Sequence, residues 1–165
     1  MLLRRGQLGV TLIELIAAIV LTAIMAAVAI PRMAVLSDYE TRGLRDKLAA
    51  ELQYARQAAI ANRRYVCVDT TNGTGGKVSL TIESAQPEDT AGTCPKGIVL
   101  NPPAPDKTIG CAANQICASS RTSLSASQVS FQFDPLGRLS TAGTVSFTIP
   151  GETTIAIETE TGYVR

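Results

Sequence analysis

Apolar residues follow three different rhythms along this chain, and each rhythm predicts a different structure. From Val10 to Ile30 they are nearly unbroken: 21 residues carry one charge, at Glu14. From Met33 to Asn62 they thin to a stripe of Leu44, Leu48, Leu52, Ala55 and Ala59, spaced three or four residues apart. That spacing is one face of an amphipathic helix. Arg42, Arg45, Asp46, Glu51, Arg56 and Gln57 surround the stripe; Asp46 and Glu51, set among Arg and Lys, are expected on solvated faces. Asn62, tolerant of a left-handed conformation, is a suitable stop. Beyond residue 63 the period drops to two. Arg64-Tyr-Val-Cys-Val-Asp69 and Lys77-Val-Ser-Leu-Thr-Ile-Glu83 alternate around Asn72-Gly-Thr-Gly-Gly76, the pattern of a hairpin. Strands resume at 129–133, 144–149 and 153–158, with a short piece at Tyr163-Val164. Asp134-Pro-Leu-Gly137 and Pro150-Gly151 supply the turns between them. The stretches 85–93 and 101–126 read as loops, the second containing Pro102-Pro-Ala-Pro105.

The predicted class is α+β, a long N-terminal helix packed on an antiparallel, β-sandwich-like head. Its parts are a basic leader at 1–9, an apolar helix at 10–31, an amphipathic helix at 32–62 and a β-rich head at 63–165. Pro31 replaces an amide donor with a ring and is expected to loosen the helix there.

As a helix, Val10–Ile30 would be roughly 32 Å long at about 1.5 Å per residue, enough to cross a hydrocarbon core of about 30 Å. Arg4 and Arg5 would hold the N-terminus on the cytoplasmic side. An ordinary signal peptide cut after Ala27-Val28-Ala29 is the rival reading. The apolar block is too long for it, since such cores run roughly 7–15 residues. It also leaves Glu14 unexplained, although a carboxylate in an apolar span costs about 2–3 kcal/mol even on lenient scales.

Charge and composition then narrow the chemistry. Lys and Arg number 15 against 14 Asp and Glu. Removing Arg4 and Arg5 leaves 13 against 14, a neutral body without the cationic surplus that phosphate binding requires. There is no His, so imidazole bases, His triads and His-ligated zinc are excluded. No spacing marks a Ser-Lys pair or paired carboxylates, and no cofactor is implied. The Gly-rich 72–76 stretch fails as a phosphate loop: Thr71 stands where its first Gly belongs and Val78 where Ser or Thr belongs. Cys67, Cys94, Cys111 and Cys117 form no CxxC pair, and an even count in an exported head favours disulfides. Three connectivities are open, beside four separate thiols. Loop position favours Cys111–Cys117 closing the short loop and Cys67–Cys94 tying the hairpin to the middle of the chain.

Gly9-Val10-Thr11-Leu12-Ile13-Glu14 resembles the prepilin peptidase site of type IV pilins and type II secretion pseudopilins. The resemblance implies cleavage after Gly9 and methylation of the new amine at Val10, where the family usually has Phe. It places Glu14 at the family's acidic fifth mature position and Pro31 where many pilins carry a helix-loosening proline. Glu14 would then meet the Val10 amine of a neighbouring subunit and set register in a filament, its carboxylate compensated by an ammonium. The alternative is a lone Glu14 reaching the headgroups. Farther along, Phe133-Asp-Pro-Leu-Gly-Arg138 and Glu160-Thr-Gly-Tyr-Val-Arg165 resemble the GspH/FimT group, most of all minor pilins of the MSHA pilus, the MshC type.

That resemblance implies a structural subunit and not an enzyme. Its partners would be a prepilin peptidase, other pilins or pseudopilins, an inner-membrane assembly platform and the inner membrane itself. The chain would cross the inner membrane once before assembly, with its head in the periplasm, and then enter a pilus. Some FimT-like members bind DNA through a C-terminal Gly-Arg-x-Arg. Here Tyr163 replaces the first Arg, and Arg138 as a turn cap with Arg165 as a frayed terminus is the competing view, so nucleic acid is not an expected partner. A secretion pseudopilin is the main alternative.

Overall fold

The computed structural model describes residues 11–84, 97–108 and 110–165, with 28–37 described in backbone only. The chain divides into two compact units, Met1–Asp38 and Tyr39–Arg165. One helix, α1 (Leu12–Asn62), contributes to both. Its helical assignment runs through Pro31 without a break, so the expected loosening does not take the form of a helix end. A proline removes one N–H donor and crowds the carbonyl four residues before it, which can bend a helix without ending it.

The C-terminus of α1 is closed by a Schellman arrangement. Arg63 N–H donates to the Ile60 carbonyl at 3.3 Å and Arg64 N–H to the Ala59 carbonyl at 3.2 Å. The left-handed residue is Arg63, with φ 50°, and not Asn62. Asn62 stays in the helix and donates its side-chain amide back to the Ala58 carbonyl at 2.8 Å.

The head has two antiparallel sheets. The first is ordered β4-β3-β1-β7, with β5 also on β3; these are β1 (Val66–Thr71), β3 (Lys77–Ile82), β4 (Ile98–Val99), β5 (Gln115–Cys117) and β7 (Ser130–Phe133). The second is ordered β2-β6-β8-β9, from β2 (Gly73–Thr74), β6 (Ser123–Ala126), β8 (Val145–Thr148) and β9 (Ile155–Ile157). The predicted hairpin is β1 with β3, in register Val66↔Ile82 through Thr71↔Lys77. Its connection is more than a turn, because Gly73–Thr74 leaves to pair with β6 in the other sheet. Asn72 fixes that crossing, its side chain accepting from Ala126 N–H at 2.8 Å and donating to the Ala126 carbonyl at 3.1 Å.

Strands β5 and β6 lie in the stretch expected to be loop. The alternation in β6 buries Leu124 and Ala126 between Ser123 and Ser125, so its apolar signal is only two small or medium side chains. Within the Tyr39–Arg165 unit, Leu48, Leu52, Ala55 and Ala59 of α1 are fully buried in one core with Val66, Val68, Phe133 and Ile157. Phe131 links the sheets, meeting Phe133 at 5.8 Å and Phe147 at 6.1 Å edge-on.

Candidate functional site

The N-terminal end of α1 begins at a cap. Glu14 N–H donates to the Thr11 carbonyl at 3.1 Å and to Thr11 Oγ1 at 3.4 Å. Thr11 therefore serves as N-cap and Glu14 as the acidic residue three positions on, the spacing of a capping box. Glu14 is exposed in the first helical turn, where the helix dipole favours a carboxylate. Gly9 and Val10, the expected processing residues, lie outside the described residues, and of Pro31 only the backbone is described. Around Glu14 the helix presents Leu12, Ile13, Leu15, Ile16, Ile19, Val20 and Leu21, all exposed. At about 100° per residue these positions, together with the exposed Ile24 and Met25, put large apolar side chains on every side of the helix, with Glu14 and Thr22 sharing one arc between Leu21 and Leu15. The one internal hydroxyl, Thr22, donates back to the Ala18 and Ile19 carbonyls at 2.9 and 3.0 Å, so it does not interrupt the apolar surface. Among the described residues, whose side chains here end at Ala27, no helix is long and apolar enough to cross a membrane.

At the other end of α1, the head is fastened by two turns. Asp134 organises the first: its Oδ1 accepts from Leu136 N–H at 2.9 Å and Arg138 N–H at 2.8 Å, and its Oδ2 meets Arg138 Nε at 3.1 Å. Arg138 is thus a turn cap, as expected. Arg165 is not frayed. Its backbone pairs with Ala156 in both directions at 2.9 Å, and its guanidinium reaches Glu158 at 3.4 Å. Arg56 of α1 joins both turns, its Nε donating to the carbonyls of Gly137 at 3.2 Å and Thr161 at 3.0 Å. Gly162 (φ 61°) packs against the Gly137 carbonyl so closely that a Cβ would collide with it. The Leu-Gly-Arg and Thr-Gly-Tyr-Val motifs are therefore two halves of one clasp on the helix.

A strap at 101–108 crosses the other flank of α1. Tyr54 Oη donates to the Asn101 carbonyl at 3.1 Å, and Lys47 Nζ meets Asp106 Oδ1 at 2.9 Å. Asp106 also accepts from Thr108 N–H and Oγ1 and from Cys117 N–H. Burial alone would raise its pKa, but the Lys47 ammonium and these donors lower it from 3.8 to about 2. Cys117 is bonded to Cys111, with Cα atoms 5.9 Å apart, so the strap is anchored to a closed loop. Cys67 is buried and disulfide-bonded; Cys94 lies outside the described residues.

Glu51 corrects an expectation. It is buried at 5% exposure, not solvated, and its Oε2 has no hydrogen-bond partner. Burial raises its carboxyl pKa, partly offset by Lys47 and reinforced by Asp106. The sequence carried a signal for this: Glu51 is seven residues from both Leu44 and Ala58, in line with the apolar stripe, and the strap closes over it.

A helix whose apolar N-terminal part carries a methylation motif, joined to a two-sheet antiparallel head, defines the type IV pilin-like class of protein. The chain belongs to the GspH family, described as Type II transport protein GspH, which matches residues 45–161; the prokaryotic N-terminal methylation motif matches residues 4–30. No curated protein matches the chain. Crystal structures of the type IV minor pilin FimU from Pseudomonas aeruginosa are similar in fold. The P21 form has TM-score 0.51 and 17% identity, covering 78% of this chain and 89% of FimU. The P65 form has TM-score 0.49 and 17% identity, covering 75% and 90%. The chain is thus a pilin or pseudopilin of a type IV pilus or type II secretion machine, a structural family whose motif implies cleavage by a prepilin peptidase and assembly with other such subunits.

Proposed function

We propose that this protein is a minor subunit that initiates or modulates an MSHA-like type IV pilus filament, without enzymatic activity of its own. The observation that carries this reading is the exposed apolar surface on every side of α1 within the stretch that matches the methylation motif. Such a surface is stable only in lipid or against other apolar helices. In this reading the chain is cut after Gly9, methylated at Val10 and crosses the inner membrane once until the assembly platform extracts it. Glu14 faces the Val10 amine of a neighbour in the filament, and Pro31 gives the helix local freedom. Cys67 pairs with Cys94, since Cys111 and Cys117 bond each other and Cys67 is itself bonded.

The family match over 45–161 favours a second reading, a GspH-like pseudopilin of a type II secretion system. N-terminal mass spectrometry of the chain from membranes and filaments tests the shared step. A methylated Val10 terminus is expected; a terminus at Ile30 would establish an ordinary signal peptide and remove the filament reading. Whether the processed chain co-purifies with pili or with a secretion apparatus separates the two machines.

A further inference from the structure

The crossing between the two sheets turns on Asn72 and Gly73, and the fold dictates each residue for a separate reason. Asn72 closes the crossing because a side-chain amide carries both a donor and an acceptor. Ala126 N–H donates to its Oδ1 at 2.8 Å, and its Nδ2 donates to the Ala126 carbonyl at 3.1 Å. A carboxylate could make only the first of these bonds. Gly73 follows at φ 116°, a conformation that side chains rarely adopt, and nothing lies within 4 Å of where its Cβ would stand. The result is an Asn-Gly peptide, in which the backbone nitrogen meets little hindrance in attacking the preceding side-chain amide. It also lies where the fold is held by few bonds. Strand β2 is two exposed residues at the edge of its sheet, and such segments open locally without global unfolding.

We infer that Asn72 is a deamidation site whose conversion opens the sheet crossing one way. While Nδ2 is held on the Ala126 carbonyl, the amide is fixed in the crossing. When β2 detaches, the Gly73 nitrogen attacks Asn72 Cγ and closes a cyclic imide. The Cγ–Nδ2 bond breaks, and the proton lost by Gly73 leaves through solvent with the nitrogen as ammonia. Water then opens the imide at either carbonyl, giving an aspartyl residue or an isoaspartyl residue, with no oxidation or reduction. The acid has no donor for the Ala126 carbonyl, so acceptor faces acceptor when β2 tries to close. The isoaspartyl product also adds an atom to the main chain between β1 and β2.

The test incubates the full chain in mildly alkaline buffer, folded in detergent micelles or unfolded in guanidinium chloride. The tryptic peptide 65–77, in which Asn72 is the sole Asn, is followed by mass and by enzymatic methylation of isoaspartate. Conversion in the folded chain is expected to be slower by about tenfold to a thousandfold, the protection given by a local opening. Equal rates would show that the Ala126 contacts do not hold the amide. An unconverted folded chain beside a converted unfolded one would show that β2 does not open. Either result overturns the inference. Its consequence is read by hydrogen exchange on the converted chain and on Asn72→Asp. The Gly75 amide, bonded to the Thr122 carbonyl at 3.1 Å beside the crossing, should exchange at least about tenfold faster. The Leu80 amide, bonded to the Asn114 carbonyl at 3.0 Å in the other sheet, should keep its protection. Unchanged exchange at Gly75 would show that the crossing tolerates the acid, and loss of protection at both amides would show that the whole head unfolds; both outcomes defeat a one-way opening of the crossing.

Discussion

The two ends of α1 both carry large apolar side chains, and those side chains meet opposite fates. Near its C-terminus, Leu48, Leu52, Ala55 and Ala59 have no exposed surface, because the strands of the same chain cover them. Near its N-terminus, Leu12 is 76% exposed and Leu21 59% exposed, and no residue from 11 to 27 is buried. The difference lies in pattern: a stripe at helical spacing can be covered by one sheet, whereas apolar residues on every side can be covered only by surroundings on every side. Fold stability and assembly are thus written in separate stretches of one helix.

Truncating a large side chain in each stretch tests that separation most severely. Leu48→Ala should destabilise the head by about 2–5 kcal/mol, the usual cost of a buried Leu-to-Ala cavity, and lower its thermal midpoint accordingly. Leu21→Ala should leave the head's midpoint unchanged and reduce membrane retention or filament incorporation. A comparable drop in the midpoint for Leu21→Ala would show that the apolar end also supports the head.

The clasp gives the next largest effect and sharpens the account of the stable end. In Gly162→Ala the new methyl meets the Gly137 backbone carbonyl, which cannot swing aside, at a residue whose φ is 61°. Left-handed strain and overpacking together should cost about 2–4 kcal/mol. Gly151→Ala is the control: its φ is 83°, but nothing lies within 4 Å of the added carbon, so only the conformational cost of about 1 kcal/mol applies. Equal losses in chemical denaturation would mean that the contact with Gly137 is not what Gly162 provides.

Legibility in the sequence followed the same division. The stripe, the β1–β3 hairpin and the strands at β7, β8 and β9 were readable because each repeats large apolar side chains at a fixed period. Strands β5 and β6 were not, since Gln115–Cys117 and Ser123–Ala126 pair through backbone bonds with few large residues to mark them. The short β2 hides in a Gly-rich stretch that also reads as a turn. Arg56 and Asp106 were invisible as hubs because their partners are carbonyls and amides contributed by turns distant in sequence. Glu51 looked solvated by composition, although its position in line with Leu44 and Ala58 pointed inward. At the N-terminal end the expectation for Gly9, Val10 and Glu14 came from the motif alone, and Gly9 and Val10 lie outside the described residues.

Acid and base should act oppositely on the strap. Asp106 has a folded pKa of about 2 against 3.8, so its stabilisation is present above pH 3.8 and is lost as pH falls through about 2; it amounts to about 2 kcal/mol. Glu51 is raised from 4.5. It binds its proton more tightly when folded, so stability falls as pH rises from 4.5 through its folded value. Asp106→Asn should lower stability at neutral pH by about 2 kcal/mol and flatten the acid limb of the stability profile. Denaturation between pH 2 and pH 8 checks both signs, and an unchanged acid limb in Asp106→Asn would assign that limb to other carboxylates.

The smallest expected effect is a gain. Arg63 holds the position just past α1 where glycine is most at ease, with φ 50° and its own N–H and that of Arg64 closing the helix. A non-glycine residue pays roughly 1 kcal/mol or more for this conformation. Glycine removes that cost but loses more freedom on folding, a penalty of roughly 0.5–1 kcal/mol. The backbone hydrogen bonds are the same for either residue, and among the described residues the Arg63 side chain forms no ion pair that would be lost. Arg63→Gly should therefore stabilise the head by about 0.5 kcal/mol, measured as a higher denaturation midpoint at unchanged slope. It should not alter the apolar end of α1, so processing at Gly9 and membrane retention should match the parent chain. A lower midpoint would mean that the Arg63 side chain contributes contacts of its own to the end of the helix, and that the Schellman closure is held by more than backbone.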